Sequence, residues 1–310
     1  QLVRIGCRKI AGEQEMTLKK NIGYIGLGNI GGPMAKHIIN DEFNLYVYDL
    51  NEDAVKTLTD EGAYACGTIG ELASTCEHIG LCVRDDKDIN NILYGTEGIL
   101  ENANQGTLIA ISSTISHASL AQWEADVIAA GMSLVDAPIS GGAHGAAAGN
   151  LVYMVGCSKD DFERAKPVFE TSAELVIHTG KLGSGTTLKL ANNLMTYAQL
   201  IAVSEAFALA EAHAVDPKLL FEMSKINGVI NHNTQMFISA RNDLFASGGA
   251  DLVKEFMAGN AGLGEKDLKC AIESAHAAGI ELPLTRLSQE LIKGVFLKTT
   301  NYNGESSNDT

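Results

Sequence analysis

Gly26, Gly28 and Gly31 form G-x-G-x-x-G, with Leu27, Asn29 and Ile30 between them, directly after the apolar run NIGYI and directly before PMAKHII. Such a loop requires glycine three times: for a sharp turn, for close approach of backbone to a pyrophosphate, and for tight helix–strand packing with the helix N-terminus facing the phosphates. The next strand-like run, NLYVYD, ends in Asp49, eighteen residues after Gly31, where a carboxylate accepts hydrogen bonds from the hydroxyls of an adenosine ribose. A chain with 32 glycines produces the bare pattern by chance, but strand, loop, helix, strand and acid in this order predict a dinucleotide site. Asp49 would repel a ribose 2′-phosphate, and Leu50, Asn51, Glu52 and Asp53 add no cation, so NAD is expected in preference to NADP. Asn51 is equally suited to capping a helix over EDAVKTL.

Two further groups attract attention. Lys189 and Asn193 are four apart, so on a helix both project from one face. A lysine in so apolar a segment is ordinarily a snorkelling surface residue, but here an amide shares its face and a glycine-rich stretch, GKLGSG, leads in. Ser140, Gly141 and Gly142 follow a strand-like run and Pro138, so their amides and one hydroxyl can converge on an anion; a tight turn leaving a strand would use the same residues. The six cysteines and eight histidines show neither a C-x-x-C pair nor metal-ligand spacing, and no metal is expected.

These residues need elements to hold them. Short apolar runs (NIGYIGLG, NLYVYDL, HIGLCVR, GTLIAISS, MSLVDAPIS, LVYMVG, ELVIHTG) alternate with helical stretches at 31–40, 51–62, 87–93, 116–130 and 160–171, which predicts a doubly wound, Rossmann-like parallel sheet. After Gly185 the pattern changes to a run of about 28 residues without Gly or Pro, apolar on more than one face, followed by helical stretches at 217–225, 231–244, 265–278 and 284–297. The expected organisation is a tag or upstream extension over 1–19, a dinucleotide-binding domain over 20–180, an all-helical domain for substrate and oligomerisation over 181–300, and a disordered tail over 301–310. A basic transit peptide is the alternative for the first residues.

In order along the chain stand GLGNIGGPMAKHI, DAPISGG (136–142), G-N-L-x-x-M-V-G (149–156), G-x-G-x-x-x-K-L-A-N-N (183–193) and E-K-D-L (265–268). Together they resemble the β-hydroxyacid dehydrogenase family of the 6-phosphogluconate dehydrogenase-like superfamily, over residues 20 to about 297. The resemblance implies that Lys189 is the proton-transfer residue and that Asn193 holds lysine and substrate oxygen in register. It places the substrate carboxylate on Ser140, Gly141 and Gly142, with Ser113 and Thr114 near the nicotinamide, and Lys266 reaching toward the cofactor from the second domain. Val83 and Arg84 stand in the cofactor-facing loop where the family has Leu-Pro; Ile111 replaces an Asp, and His117 replaces a Pro. Those departures bear on loop shape and substrate more than on reaction class.

The implied activity is hydride transfer between NAD, less readily NADP, and a small 3-hydroxy acid or its semialdehyde, as in 3-hydroxyisobutyrate dehydrogenase. Imine or keto-acid reduction on the same fold is the rival, disfavoured because those relatives generally lack the lysine; a dinucleotide-binding module without turnover would tend to lose both Lys189 and Asn193. A net charge of −15 argues against nucleic acid and anionic membrane partners, and no apolar run reaches membrane-spanning length. A cytoplasmic homodimer or homotetramer acting on a small carboxylate is expected, its thiols reduced.

Overall fold

The computed structural model describes residues 19–300 and Tyr302, so the expectations for the first residues and for the tail fall outside the described residues except at Lys19 and Tyr302. The elements run β1 (Lys20–Ile25), α1 (Gly31–Lys36), β2 (Phe43–Tyr48), α2 (Glu52–Thr59), β3 (Tyr64–Ala65), α3 (Ile69–Thr75), β4 (His78–Leu81), α4 (Asp86–Tyr94), α5 (Ile99–Asn102), β5 (Leu108–Ile111), α6 (His117–Ala129), β6 (Ser133–Asp136) and β7 (Ile139–Ser140). They continue with α7 (Gly142–Ala148), β8 (Leu151–Gly156), α8 (Lys159–Phe169), β9 (Ala173–Gly180), α9 (Ser184–Ala212), α10 (Lys218–Asn227), α11 (His232–Ala277) and α12 (Pro283–Leu297).

Six strands pair in the parallel order β3-β2-β1-β4-β5-β6. Strands β4 and β5 are buried along their whole length, because helices cover both faces of the sheet. One face packs Tyr24, Met34, Leu45, Phe162 and Phe169, and the other Leu72, Ile79, Leu81 and the fully buried Trp123. The order reverses between β1 and β4, and in such sheets the ligand crevice opens at the carboxyl edge of that switch point.

The sheet departs from an all-parallel one at its far side. Strand β8 meets β6 antiparallel through Asp136 and Gly156 only, then runs antiparallel beside β7 and parallel to β9. Only Ala137 and Pro138 separate β6 from β7, too little for a crossover, so β7 continues the direction of β6. The β7–β8–β9 ribbon therefore extends beyond the end of β6.

After Gly180 every regular element among the described residues is a helix. Tyr197, Leu200, Phe207, Ile238, Ile292 and Phe296 form the core shared by α9, α11 and α12. The glycine-containing stretch 245–264, expected to separate two helices, is instead part of α11, which breaks only at Gly249 (φ 67°, ψ −156°). Gly264 stays helical because packing demands its small size: an added Cβ would lie 3.3 Å from both Ile292 and Phe296 and 3.5 Å from Tyr197. Gly264→Val should destabilise the fold by about 1–3 kcal/mol through overpacking, read as a lower urea midpoint at unchanged m-value.

Candidate functional site

The three loop glycines have three different surroundings. Gly26 ends β1 at φ +93°, and a Cβ there would strike the Cys82 carbonyl and lie 2.8 Å from Val83 Cγ1. At Gly31 a Cβ would collide with the Gly26 carbonyl, so helix α1 can approach the end of β1 only without a side chain. Gly28 is free: an added Cβ meets nothing within 4 Å. The amides of Asn29 and Ile30 donate to no acceptor among the described residues. Open space beside unpaired amides, at the switch point, fits a bound pyrophosphate.

Asp49 ties this loop to the next strand. Its Oδ2 accepts from the Leu27 amide at 2.6 Å and its Oδ1 from the Asn51 amide at 2.7 Å. The half-buried carboxylate keeps further lone pairs for a ligand hydroxyl, with the exposed Leu50 beyond it. Asn51 also caps α2, accepting from the Asp53 amide at 3.0 Å.

On the other side of the crevice, the buried Ser113 hydroxyl donates to the Val83 carbonyl at 2.7 Å and accepts from the Val83 amide at 3.0 Å. Ser113 thus fixes the loop after β4 to the loop after β5, and its donor is spent inside the protein. Arg84 is exposed and paired bidentately with Asp88 (2.9 and 3.2 Å), so it is not a free cation facing the cleft. The Thr114 carbonyl accepts from Lys266 Nζ at 2.6 Å, the reach from the helical region that the resemblance implies. Ser140 closes β7, and Gly141 (φ 130°) and Gly142 (φ 60°) turn the chain into α7, whose N-terminus has no side-chain cap. Gly142 too has open space where its Cβ would stand.

Lys189 and Asn193 project from one face of α9, as their spacing predicts, toward a residue that the motif E-K-D-L contained but that was read only for its lysine. Asp267 is 2 % exposed. Its Oδ2 accepts from Asn193 Nδ2 at 2.8 Å and from the Tyr197 hydroxyl at 3.1 Å, while Oδ1 lies 3.7 Å from Lys266 Nζ and has no hydrogen-bond partner among the described residues. Burial holds the Lys189 ammonium below its ordinary value; the Asp267 charge opposes that shift and Lys266 adds to it. The signal that could have found Asp267 was its place: in an α11 turn led by Gly264, which faces Tyr197, it is four residues before Ala271, another buried position, and so on the core face. A desolvated amine beside a carboxylate with a free oxygen can take up and release a proton.

A Rossmann crevice beside a helical region that brings a partly buried lysine to it is the architecture of a nicotinamide-dependent oxidoreductase. Residues 21–180 match the family model for the NAD binding domain of 6-phosphogluconate dehydrogenase, and residues 183–307 that for the NAD-binding region of NADP-dependent 3-hydroxyisobutyrate dehydrogenase. The chain is 30 % identical over 275 residues to 2-(hydroxymethyl)glutarate dehydrogenase of Eubacterium barkeri, covering 88 % of each chain. It is also 30 % identical over 275 residues to the NAD-dependent L-serine dehydrogenase of Pseudomonas aeruginosa (88 % of this chain, 91 % of that one). Among solved structures, 3-hydroxyisobutyrate dehydrogenase of Mycobacterium tuberculosis with L-serine superimposes with a TM-score of 0.78 at 26 % identity, over 92 % of this chain and all of that one. The protein belongs to the β-hydroxyacid dehydrogenase family, of the 3-hydroxyisobutyrate dehydrogenase type.

The glycine surroundings separate binding from folding. Gly28→Val should leave the melting temperature near that of the parent while weakening NAD(P)H binding by roughly tenfold or more, and Gly31→Ala should lower the melting temperature itself. Fluorescence titration and thermal melts of the two variants read the two effects independently.

Proposed function

We propose that the protein transfers hydride between NAD(P) and a small 3-hydroxy carboxylate bearing a primary alcohol, or reduces the corresponding semialdehyde. The named substrates of the relatives, 3-hydroxyisobutyrate, L-serine and 2-(hydroxymethyl)glutarate, share the unit HO–CH2–CHX–COO⁻, with the alcohol one carbon removed from the carboxylate-bearing carbon. The observation that carries the reading is the desolvated Lys189 on one face with Asn193, against the buried Asp267.

Bound NAD(P) supplies the hydride acceptor in the oxidative direction. For its part the chain would hold the pyrophosphate on the Gly26–Gly31 loop amides and the adenosine ribose on Asp49. Lys189, as the free amine, takes the hydroxyl proton while the carbon gives up its hydride, and as the ammonium it returns that proton in reduction. Asn193, whose amide nitrogen donates to Asp267 at 2.8 Å and whose carbonyl oxygen accepts from Asn192 at 3.2 Å, would hold lysine and substrate oxygen in register. Ser140, Gly141 and Gly142 are assigned the substrate carboxylate, and Ser113 a positioning part through Val83 and Thr114. Asp49 favours NAD over NADP by repelling a 2′-phosphate.

The same reading takes residues 20–180 as the cofactor unit, 181–300 as the substrate and assembly unit, and the working form as a cytoplasmic homo-oligomer. Exposed apolar side chains on the helical part, among them Met195, Leu209, Ile226 and Phe256, support assembly. The cysteines of the described residues are all free, in keeping with a reducing compartment. Among the described residues no helix is long and apolar enough to cross a membrane.

Lys189→Ala should lower kcat for 3-hydroxy acid oxidation by roughly 10²–10⁴-fold with NAD(P)H binding retained; full activity in the variant would overturn the assignment. Oxidation needs the neutral amine, so kcat/KM should rise with pH along a limb centred below the ordinary lysine value. Asp267 holds that value up and Lys266 holds it down. Asp267→Asn should therefore move the limb to lower pH and Lys266→Ala to higher pH, measured as pH–rate profiles. Asp49→Ser should narrow the ratio of kcat/KM for NAD over NADP, and an unchanged ratio would remove Asp49 from cofactor selection.

A further inference from the structure

Three segments that look independent in the sequence meet at one buried carboxylate. Asp136, the last residue of β6, is fully buried. Its Oδ1 accepts from the Gly183 amide and its Oδ2 from the Thr186 amide, both at 2.7 Å. These belong to the start of α9, whose N-cap is Gly183 (φ +89°) and which has no side-chain cap of its own. A residue 47 positions earlier in the chain thus does the work of a capping side chain and sets a negative charge at the positive end of the helix. Gly156 of β8 and Gly185 of α9 make room for it, since a Cβ at Gly156 would run into Asp136 Oδ1 and one at Gly185 would lie 3.0 Å from Oδ2.

The same turn is gripped from α6. His117 Nε2 lies 3.1 Å from the Gly183 carbonyl and 2.9 Å from Thr187 Oγ1, which itself donates to the Gly183 carbonyl at 2.9 Å. The Gly183 carbonyl can only accept, so the contact assigns the ring hydrogen to Nε2. His117 stands at the end of the loop whose Thr114 carbonyl receives Lys266. Lys189 follows Thr186 by three residues, within one turn of the clamped amides.

We propose that Asp136 and His117 are positioning residues that fix the first turn of α9, and with it Lys189, against the cofactor-facing loops of the sheet. Stability alone is a poor reason for such a carboxylate. Burial raises Asp136 to about 6 against the pull of the two amides, and a buried ionised group contributes little net stability. The rest of α9 is secured independently by Tyr197, Leu200, Val203 and Phe207 in the helical core. Loss of the clamp should therefore shift the first turn rather than unfold the helix.

The inference rests on Lys189 as the proton-transfer residue, and its test has readouts besides turnover. Asp136→Asn, His117→Pro and His117→Gln are compared with the parent by hydrogen exchange over 181–190, by the rate of amine labelling at Lys189 read by peptide mass spectrometry, and by kcat and KM. In Asp136→Asn and His117→Pro the amides of 183–187 should exchange faster and Lys189 labelling should change severalfold, with kcat reduced by roughly 100-fold, NAD(P)H binding retained and KM little altered. His117→Gln, whose Nε2 can still donate, should recover most of this. Unchanged labelling with faster exchange would reduce the pair to a plain helix cap, and unchanged exchange would remove the clamp altogether. If Asp136→Asn does not fold, the two His117 variants decide the matter alone. A parent inactive on every 3-hydroxy acid tried would remove the proposed function, while exchange and labelling still decide whether the clamp sets Lys189.

Discussion

An amine can act as a base near neutral pH only where water is kept from it, and a protein tolerates a desolvated ammonium only beside a compensating charge. Lys189, Lys266 and Asp267 are where these demands meet. In the helical region α9 supplies the partly buried Lys189 and α11 the buried Asp267, with the apolar core of α9, α11 and α12 holding the two helices together. Asn193 and Tyr197 donate to Asp267 Oδ2, leaving the other oxygen 3.7 Å from Lys266 Nζ. The sheet domain contributes position, since Lys266 reaches the Thr114 carbonyl and Asp136 takes two amides at the head of α9.

Most of this architecture was legible because it depends on local pattern. Apolar runs of four to six residues gave the strands, and the change of period after Gly185 gave the helical region. The reading of Gly26, Gly28 and Gly31 survives at the level of individual roles: strain at Gly26, open space at Gly28, close contact at Gly31. That agreement is informative, because a chance G-x-G-x-x-G has no reason to leave only its middle position unobstructed. The Lys189–Asn193 spacing also translated directly, because helical periodicity puts positions four apart on one face.

What escaped the sequence is what depends on long-range partners. Asp267 sits beside Lys266 in a segment that reads as a solvated helix, and only tertiary packing buries it. The tie of Ser113 to Val83, 30 residues away, through one donated and one accepted bond, exists only in the folded chain. Arg84 lost its apparent freedom to Asp88. The short strands β3 and β7 and the reversed direction of β8 follow from chain length between elements, which apolar patterning does not record. In α11 the glycines misled, since an interior glycine costs a helix only about 1 kcal/mol and the helix departs from helical geometry at Gly249 alone, while packing against three neighbours accounts for the absent side chain at Gly264.

Charge accounting narrows how an anionic substrate can be held by a chain of net charge −15. A locally positive cleft built on Lys189 and Lys266 was the simple expectation, but Asp267 between them leaves one net positive charge when both lysines are protonated and none when Lys189 has given up its proton. In the proposed mechanism oxidation begins from that second state. On that reading the lysines are not the main attraction for a carboxylate when the reaction starts, and Arg84 is exposed and paired with Asp88. In the proposed reading uncharged donors remain, the amides of Gly141 and Gly142, where the chain turns with positive φ into a helix without a side-chain cap. Backbone amides carry a fixed partial charge that does not vary with the protonation state of Lys189, so substrate affinity stays decoupled from the proton that the catalytic amine must exchange.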